Sequence, residues 1–212
     1  MNKKKAEKII QGLDTYYGEA FSGLAFKDIY QLTIAVVLSA QTTDRQVNAV
    51  TDRLFTEYPD FKSLGEAHLP KVEEIIKSTG FYHTKAKNII ALSQSVKERF
   101  NGKIPDDLNN LTSLPGIGRK SANVILSMGF GIPALAFDTH VGRIANRLGF
   151  ISSDDPLKVE KALTSIIPSD KWTMTHLLFI THGRKICTAR KPSCGQCPIK
   201  KLCMWGTSKN EI

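Results

Sequence analysis

Apolar positions recur along this chain at helical spacing, and nowhere over a useful length do they alternate as a half-buried strand requires. Ala6, Ile9, Ile10 and Leu13 line one face of a basic stretch and predict a helix over 3–17. Residues 28–40, DIYQLTIAVVLSA, are almost wholly apolar and predict a central core helix; Gln41-Thr42-Thr43-Asp44 follows as a polar loop. Val47, Val50, Leu54 and Phe55 place a helix over 44–57. Pro59 and Pro70 bracket a short connection, 71–78 forms a short helix ended by Gly80, and Phe81-Tyr82-His83-Thr84 reads as a polar-aromatic turn. Ile89, Ile90, Leu92 and Val96 predict a helix over 85–99, closed by Asn101-Gly102. Later helices are marked by Val141, Ile144, Ala145 and Leu148, by Leu157, Val159, Leu163 and Ile166, and by Trp172, Leu177, Leu178 and Ile180. The expected fold is all-α, built of many short helices.

One junction stands apart. Leu108, Leu111 and Leu114 predict a helix that Pro115 stops, and Ala122, Ile125 and Leu126 predict a second one from about Arg119. Between them lies Gly116-Ile117-Gly118, a hairpin whose glycines turn sharply and leave backbone N–H groups bare. Bare N–H groups at a helix start cradle an anion, most simply a phosphate, and position a nucleic acid without reading its bases. A plain packing unit would use the same turn, but Arg119 and Lys120 follow at once and favour the phosphate. Lys120 in that first turn is either one more phosphate contact or, held neutral by the dipole, Arg119 and desolvation, a nucleophilic amine. Further on, Phe137-Asp138-Thr139-His140 precedes a helix, so Asp138 or Thr139 caps it. An aspartate there stays ionised, and near Lys120 it would set a carboxylate beside the amine.

Charge supports a polyanionic partner: 29 Lys and Arg against 20 Asp and Glu give the 212-residue chain a net +9, spread along its length. No apolar run approaches the roughly 20 residues of a spanning helix. The basic N-terminus, MNKKKAEKII, lacks the apolar core of a secretory signal. The expected location is therefore cytoplasmic, nucleoid-associated, with no membrane partner. Cys187, Cys194, Cys197 and Cys203, the only cysteines, follow C-x6-C-x2-C-x5-C. That clustering predicts a metal centre and not disulfides. Four thiolates suit tetrahedral zinc or an iron–sulfur cluster, and the spacing alone leaves both open.

LPGIGRKSANVIL followed by AFDTHVGRIANRLG resembles the helix-hairpin-helix and Gly/Pro-rich-Asp signature of the DNA base-excision glycosylases, most closely the endonuclease III family, over essentially the whole chain. The resemblance implies a helix-hairpin-helix glycosylase fold: a six-helix domain over 22–133, with the hairpin at about 107–130, and a helical iron–sulfur domain from 1–21 and 134–212, the active-site cleft between them. It makes Lys120 the Schiff-base lysine, Asp138 the essential aspartate and the four cysteines the ligands of one [4Fe–4S] cluster. Gly116, Ile117, Gly118, Arg119 and His140 become DNA-binding positions, as do Arg190 and Lys191 in the basic TARKPS loop. Gln41 and Phe81 match loops that enter the duplex where a nucleotide has been extruded. Phe81-Tyr82-His83 departs from the family's Leu-Tyr-Asn, yet an apolar ring can still part a base step.

Three functions compete on this basis. The first is a bifunctional glycosylase and abasic-site lyase acting as a monomer on oxidised or ring-saturated pyrimidines in double-stranded DNA, and cutting abasic sites by β-elimination. The second is a monofunctional mismatch glycosylase using Asp138 and water, a type that usually lacks the lysine. The third is a non-catalytic DNA-binding module, against which the presence of both Lys120 and Asp138 argues.

Overall fold

Helices make up all the regular structure in the computed structural model of the chain, which describes residues 1–18 and 23–208. Contacts divide the chain into two units, one of 1–21 with 133–212, the other of 22–132. The first begins with α1 (Lys3–Tyr17), capped by Asn2 and burying Ala6, Ile9, Ile10 and Leu13 as its periodicity predicts.

The 22–132 unit is organised on α2 (Ile29–Leu38), in which every residue from Leu32 to Leu38 is buried. Fully burying such side chains stabilises the fold by about 1.5–3 kcal/mol each, so Leu32→Ala would cost about 2–5 kcal/mol. Asp28 caps α2 by accepting the Gln31 N–H, and a Thr43/Gln46 capping box opens α3 (Asp44–Glu57).

Three sequence expectations change here. The stretch between Pro59 and Pro70 is no simple connection: Asp60 accepts the Ser63 N–H at 2.7 Å and starts a one-turn helix, α4 (Phe61–Gly65). Pro70 lies inside the first turn of α5 (Leu69–Ile76), where its missing N–H is harmless. The turn expected at 81–84 falls earlier, because α6 (Tyr82–Phe100) already includes Tyr82 and His83. Ile89, Leu92 and Val96 of α6 are buried, α6 packs on α4 and α5, and α8 (below) packs on α2.

The hairpin closes this unit. Asp107 caps α7 (Leu108–Thr112), and α8 (Arg119–Gly129) buries Ala122, Ile125 and Leu126.

The discontinuous unit resumes with α9 (Thr139–Leu148), α10 (Pro156–Ile166), α11 (Trp172–Lys185) and α12 (Met204–Ser208). Val141, Ile144, Ala145 and Leu148 of α9 join Ile9, Leu13, Leu163, Leu178 and Phe179 in one core. Leu157, expected on the apolar face of α10, is instead 57% exposed. No helix among the described residues is long and apolar enough to cross a membrane.

Candidate active site and cysteine centre

The hairpin does what its glycines predict. Gly116 has φ +77°, and a Cβ there would meet Asn88 Cβ at 3.0 Å and Val37 Cγ1 at 3.2 Å, so backbone and packing both require glycine. Gly118 is the N-cap of α8 at φ −90°, ψ 174°; a Cβ there would point into open space. Its glycine is therefore needed neither for conformation nor for packing, and what it gives is an uncovered backbone. No side chain caps α8, and no acidic residue occupies its first turn. That helix start holds positive partial charge with donors turned outward.

Arg119, Lys120, Gly116 and Gly118 are all exposed. The desolvation expected around Lys120 is thus not found. Ile117, expected among the DNA contacts, is only 4% exposed and donates its N–H to the Leu114 carbonyl at 3.2 Å. Its side chain and amide are both engaged inside the unit, so it anchors the turn.

Asp138 is half-buried and caps α9: its Oδ1 accepts the Val141 N–H at 2.8 Å. The bond uses one carboxylate oxygen and pins the group at the positive end of a helix. Two residues on, His140 Nδ1 lies 2.9 Å from Arg143 Nη2, and Arg143 Nε donates to the Cys187 carbonyl at 3.0 Å. Gln41 and Phe81 are both exposed at non-glycine positive φ, +54° and +47°. Arg190 and Lys191 are exposed on a loop closed by Thr188 Oγ1 donating to the Lys191 carbonyl at 2.8 Å.

All four cysteines line one cavity with Ile144, Leu148 and Ile199. Among the described residues no three His, Cys, Asp or Glu side chains converge closely enough to hold a single metal ion. Four thiols spread around a shared apolar cavity fit a polynuclear cluster, which binds one thiolate per iron, better than a tetrahedral zinc. Burial pushes the Cys197 thiol up to about 11 and raises Cys203 as well, and the positive charge of bound iron is what would offset this and hold them as thiolates. Donors already face the sulfurs: Arg147 Nη1 at 3.2 Å from Cys187 Sγ, the Gly206 N–H at 3.3 Å from Cys203 Sγ, and His182 Nε2 at 3.6 Å from Cys197 Sγ. His182 is buried, which lowers its pKa to about 4 and keeps it neutral, and its Nδ1 lies 2.8 Å from the Tyr17 hydroxyl.

These side chains escaped the sequence reading. Arg147 also donates to the carbonyls of Thr188 and Ala189, at 2.8 Å each, so one α9 side chain shapes the ligand loop. No local signal could have found it. Lys85 could have been found: it falls on the apolar face of α6 with Ile89, Leu92 and Val96, and is 5% exposed.

A bare helix-hairpin-helix, an aspartate-capped helix and a four-thiol cluster pocket define the class of helical DNA-repair proteins that carry an iron–sulfur centre. The family model "HhH-GPD superfamily base excision DNA repair protein" matches residues 34–169, and that of the iron-sulfur binding domain of endonuclease III matches 187–203. Endonuclease III of Synechocystis sp. is 42% identical over 202 residues, covering 95% of this chain and 92% of its own length. A non-covalent endonuclease III–DNA complex superposes with a TM-score of 0.93 at 41% identity, covering 100% of both chains. A trapped endonuclease III–DNA covalent intermediate gives 0.92 at 41%, covering 99% of both. The chain belongs to the endonuclease III family of base-excision DNA glycosylases with AP lyase activity, and it carries the family's [4Fe–4S] cluster, with the iron–sulfur binding segment at 187–203.

Proposed function

We propose that this glycosylase and lyase acts as a monomer on oxidised or ring-saturated pyrimidines in double-stranded DNA, with Lys120 as nucleophile and Asp138 as the carboxylate that offsets charge on the sugar. The observation that carries this reading is the start of α8, where an exposed lysine follows a helix start with no side-chain cap and no acidic residue. The duplex backbone is held there by Gly116, Gly118 and Arg119, and further by His140, Arg190 and Lys191. Gln41 and Phe81 fill the space left when the target nucleotide rotates out of the stack.

The free amine of Lys120 attacks C1′ as the C1′–N bond to the base breaks, and the base leaves with a proton. Asp138 stabilises the positive charge that develops on the sugar. The sugar ring opens to an iminium at C1′, a proton is lost from C2′, and the C3′–O bond breaks, cutting the strand 3′ to the lesion. The cluster shapes the Arg190–Lys191 loop. A repair enzyme of this kind works where the chromosome is, in the nucleoid.

The test is a duplex with thymine glycol beside one with an A·G mismatch. Release of thymine glycol with strand cutting supports the reading. Adenine release without cutting supports the monofunctional one.

A further inference from the structure

Positive φ at a non-glycine residue is unfavourable and persists only where the surroundings impose it. Gln41 and Phe81 both have it, in two exposed loops 40 positions apart. One buried side chain joins them. Lys85 Nζ donates to Thr42 Oγ1 at 2.5 Å and to the Thr79 carbonyl at 2.9 Å. Thr42 Oγ1 in turn donates to that same Thr79 carbonyl at 2.5 Å. Around this node the backbone is also held: the Lys85 N–H donates to the Phe81 carbonyl, the Thr42 N–H to the Ser39 carbonyl, and Thr79 Oγ1 to the Ile76 carbonyl. The neighbour of Gln41 and the residues flanking Phe81 thus meet at a single ammonium.

Stability alone does not call for a lysine here. A buried ammonium is expensive, this one sits near the positive end of α6, and burial lowers its pKa. The rest of that helix face is Ala86, Ile89, Leu92, Ser93 and Val96, and a methionine would fill the space. We propose that Lys85 is a positioning residue that locks the Gln41 and Phe81 loops into one rigid wedge, so that both enter the duplex together. The proposal rests on the assignment of Gln41 and Phe81 as the residues that fill the duplex.

A double-mutant cycle tests it. The readout is the fluorescence step of 2-aminopurine placed opposite a thymine glycol, which reports when the opposing base loses its stacking, together with single-turnover release of the glycol. With Lys85 present, Gln41→Ala and Phe81→Ala should be strongly sub-additive, the double variant no slower than the worse single, because a rigid wedge fails as a unit. In a Lys85→Met background the two effects should multiply, a change of roughly five- to tenfold, the range for residues sharing a hydrogen-bond network. Lys85→Met alone should slow the fluorescence step about tenfold with affinity for undamaged duplex within about twofold, consistent with coupling through one network. Thr42→Val removes only the shared hydroxyl and should act in the same direction; it carries the test if Lys85→Met does not fold by circular dichroism. Multiplying effects with Lys85 in place would overturn the lock while leaving the duplex-filling assignment intact. Unchanged fluorescence in both Gln41→Ala and Phe81→Ala would overturn that assignment, and the lock with it.

Discussion

Two helix starts hold the residues proposed for the chemistry, Lys120 and Asp138, and they are built in opposite ways. α9 begins on Asp138, whose carboxylate accepts the Val141 N–H. α8 begins on Gly118, with no side-chain cap and no acidic residue in its first turn. The first caps its own helix start and so holds a carboxylate at a fixed place. The second leaves the same positive end open to an anion from outside, with Lys120 exposed beside it. Stability argues for a cap at both, since an N-cap side chain is worth about 1 kcal/mol. Leaving one off makes a phosphate seat, and supplying the other makes a site that favours a developing cation.

Asp138→Asn separates the two roles of that residue most sharply. Asparagine caps as well as aspartate, so melting should stay within about 2 °C, while single-turnover base release should fall about 10²- to 10³-fold, as when a transition-state electrostatic partner is removed. Asp138→Ala should lose the cap too, at a cost of about 1 kcal/mol. Equal rates for wild type and Asp138→Asn would reduce Asp138 to a cap.

Gly118→Asp converts the second start into the first. The backbone is already extended there and a Cβ meets nothing, so the variant should be more stable by about 0.3 kcal/mol, the margin of aspartate over glycine as an N-cap. It should also bind duplex about tenfold more weakly, with a shallower salt dependence, because one phosphate contact is lost. Gly118→Val, which adds bulk without charge, should weaken binding to damaged and undamaged duplex alike. A changed base preference at unchanged affinity would contradict the cradle.

Cluster removal should distinguish the two starts by dynamics. The protein should carry about four irons and four sulfides, the content of a four-thiolate cubane; one zinc and no iron would contradict it. After the cluster is stripped, hydrogen exchange should quicken several-fold around Cys187–Cys203 and at the Arg147 end of α9, where Arg147 holds the ligand loop. The α8 start belongs to the other unit and should keep its protection.

Both starts were legible in the chain itself. LPGIGRK announces a glycine hairpin before a helix, and FDTH a capped one, because turns and caps are local chemistry read over a few residues. So was the cysteine centre, whose spacing needs no fold. Ile117 reads from the sequence both as a core anchor between the glycines and as a DNA contact, and its burial supports the anchor. α4 was hidden because its five residues give a single apolar pair, Phe61 and Leu64, too short a run for a period to show. The left-handed backbone of Phe81 and the bond from Lys85 to Thr42 were hidden because Thr42 lies 43 positions from Lys85 in the sequence. Leu157 kept the period of a buried face and is exposed, since nothing local says where the core stops.

The central claim is that Lys120 forms the covalent bond to the sugar. Incubating the protein with an abasic-site duplex in the presence of borohydride tests it most directly, because an imine at C1′ is reduced to a stable amine. Wild-type protein should give a protein–DNA adduct that survives denaturing electrophoresis, and peptide mapping should place the DNA on Lys120. Lys120→Gln should give neither adduct nor strand cutting while still binding duplex. An adduct that persists undiminished in Lys120→Gln, or maps to another residue, would contradict the account.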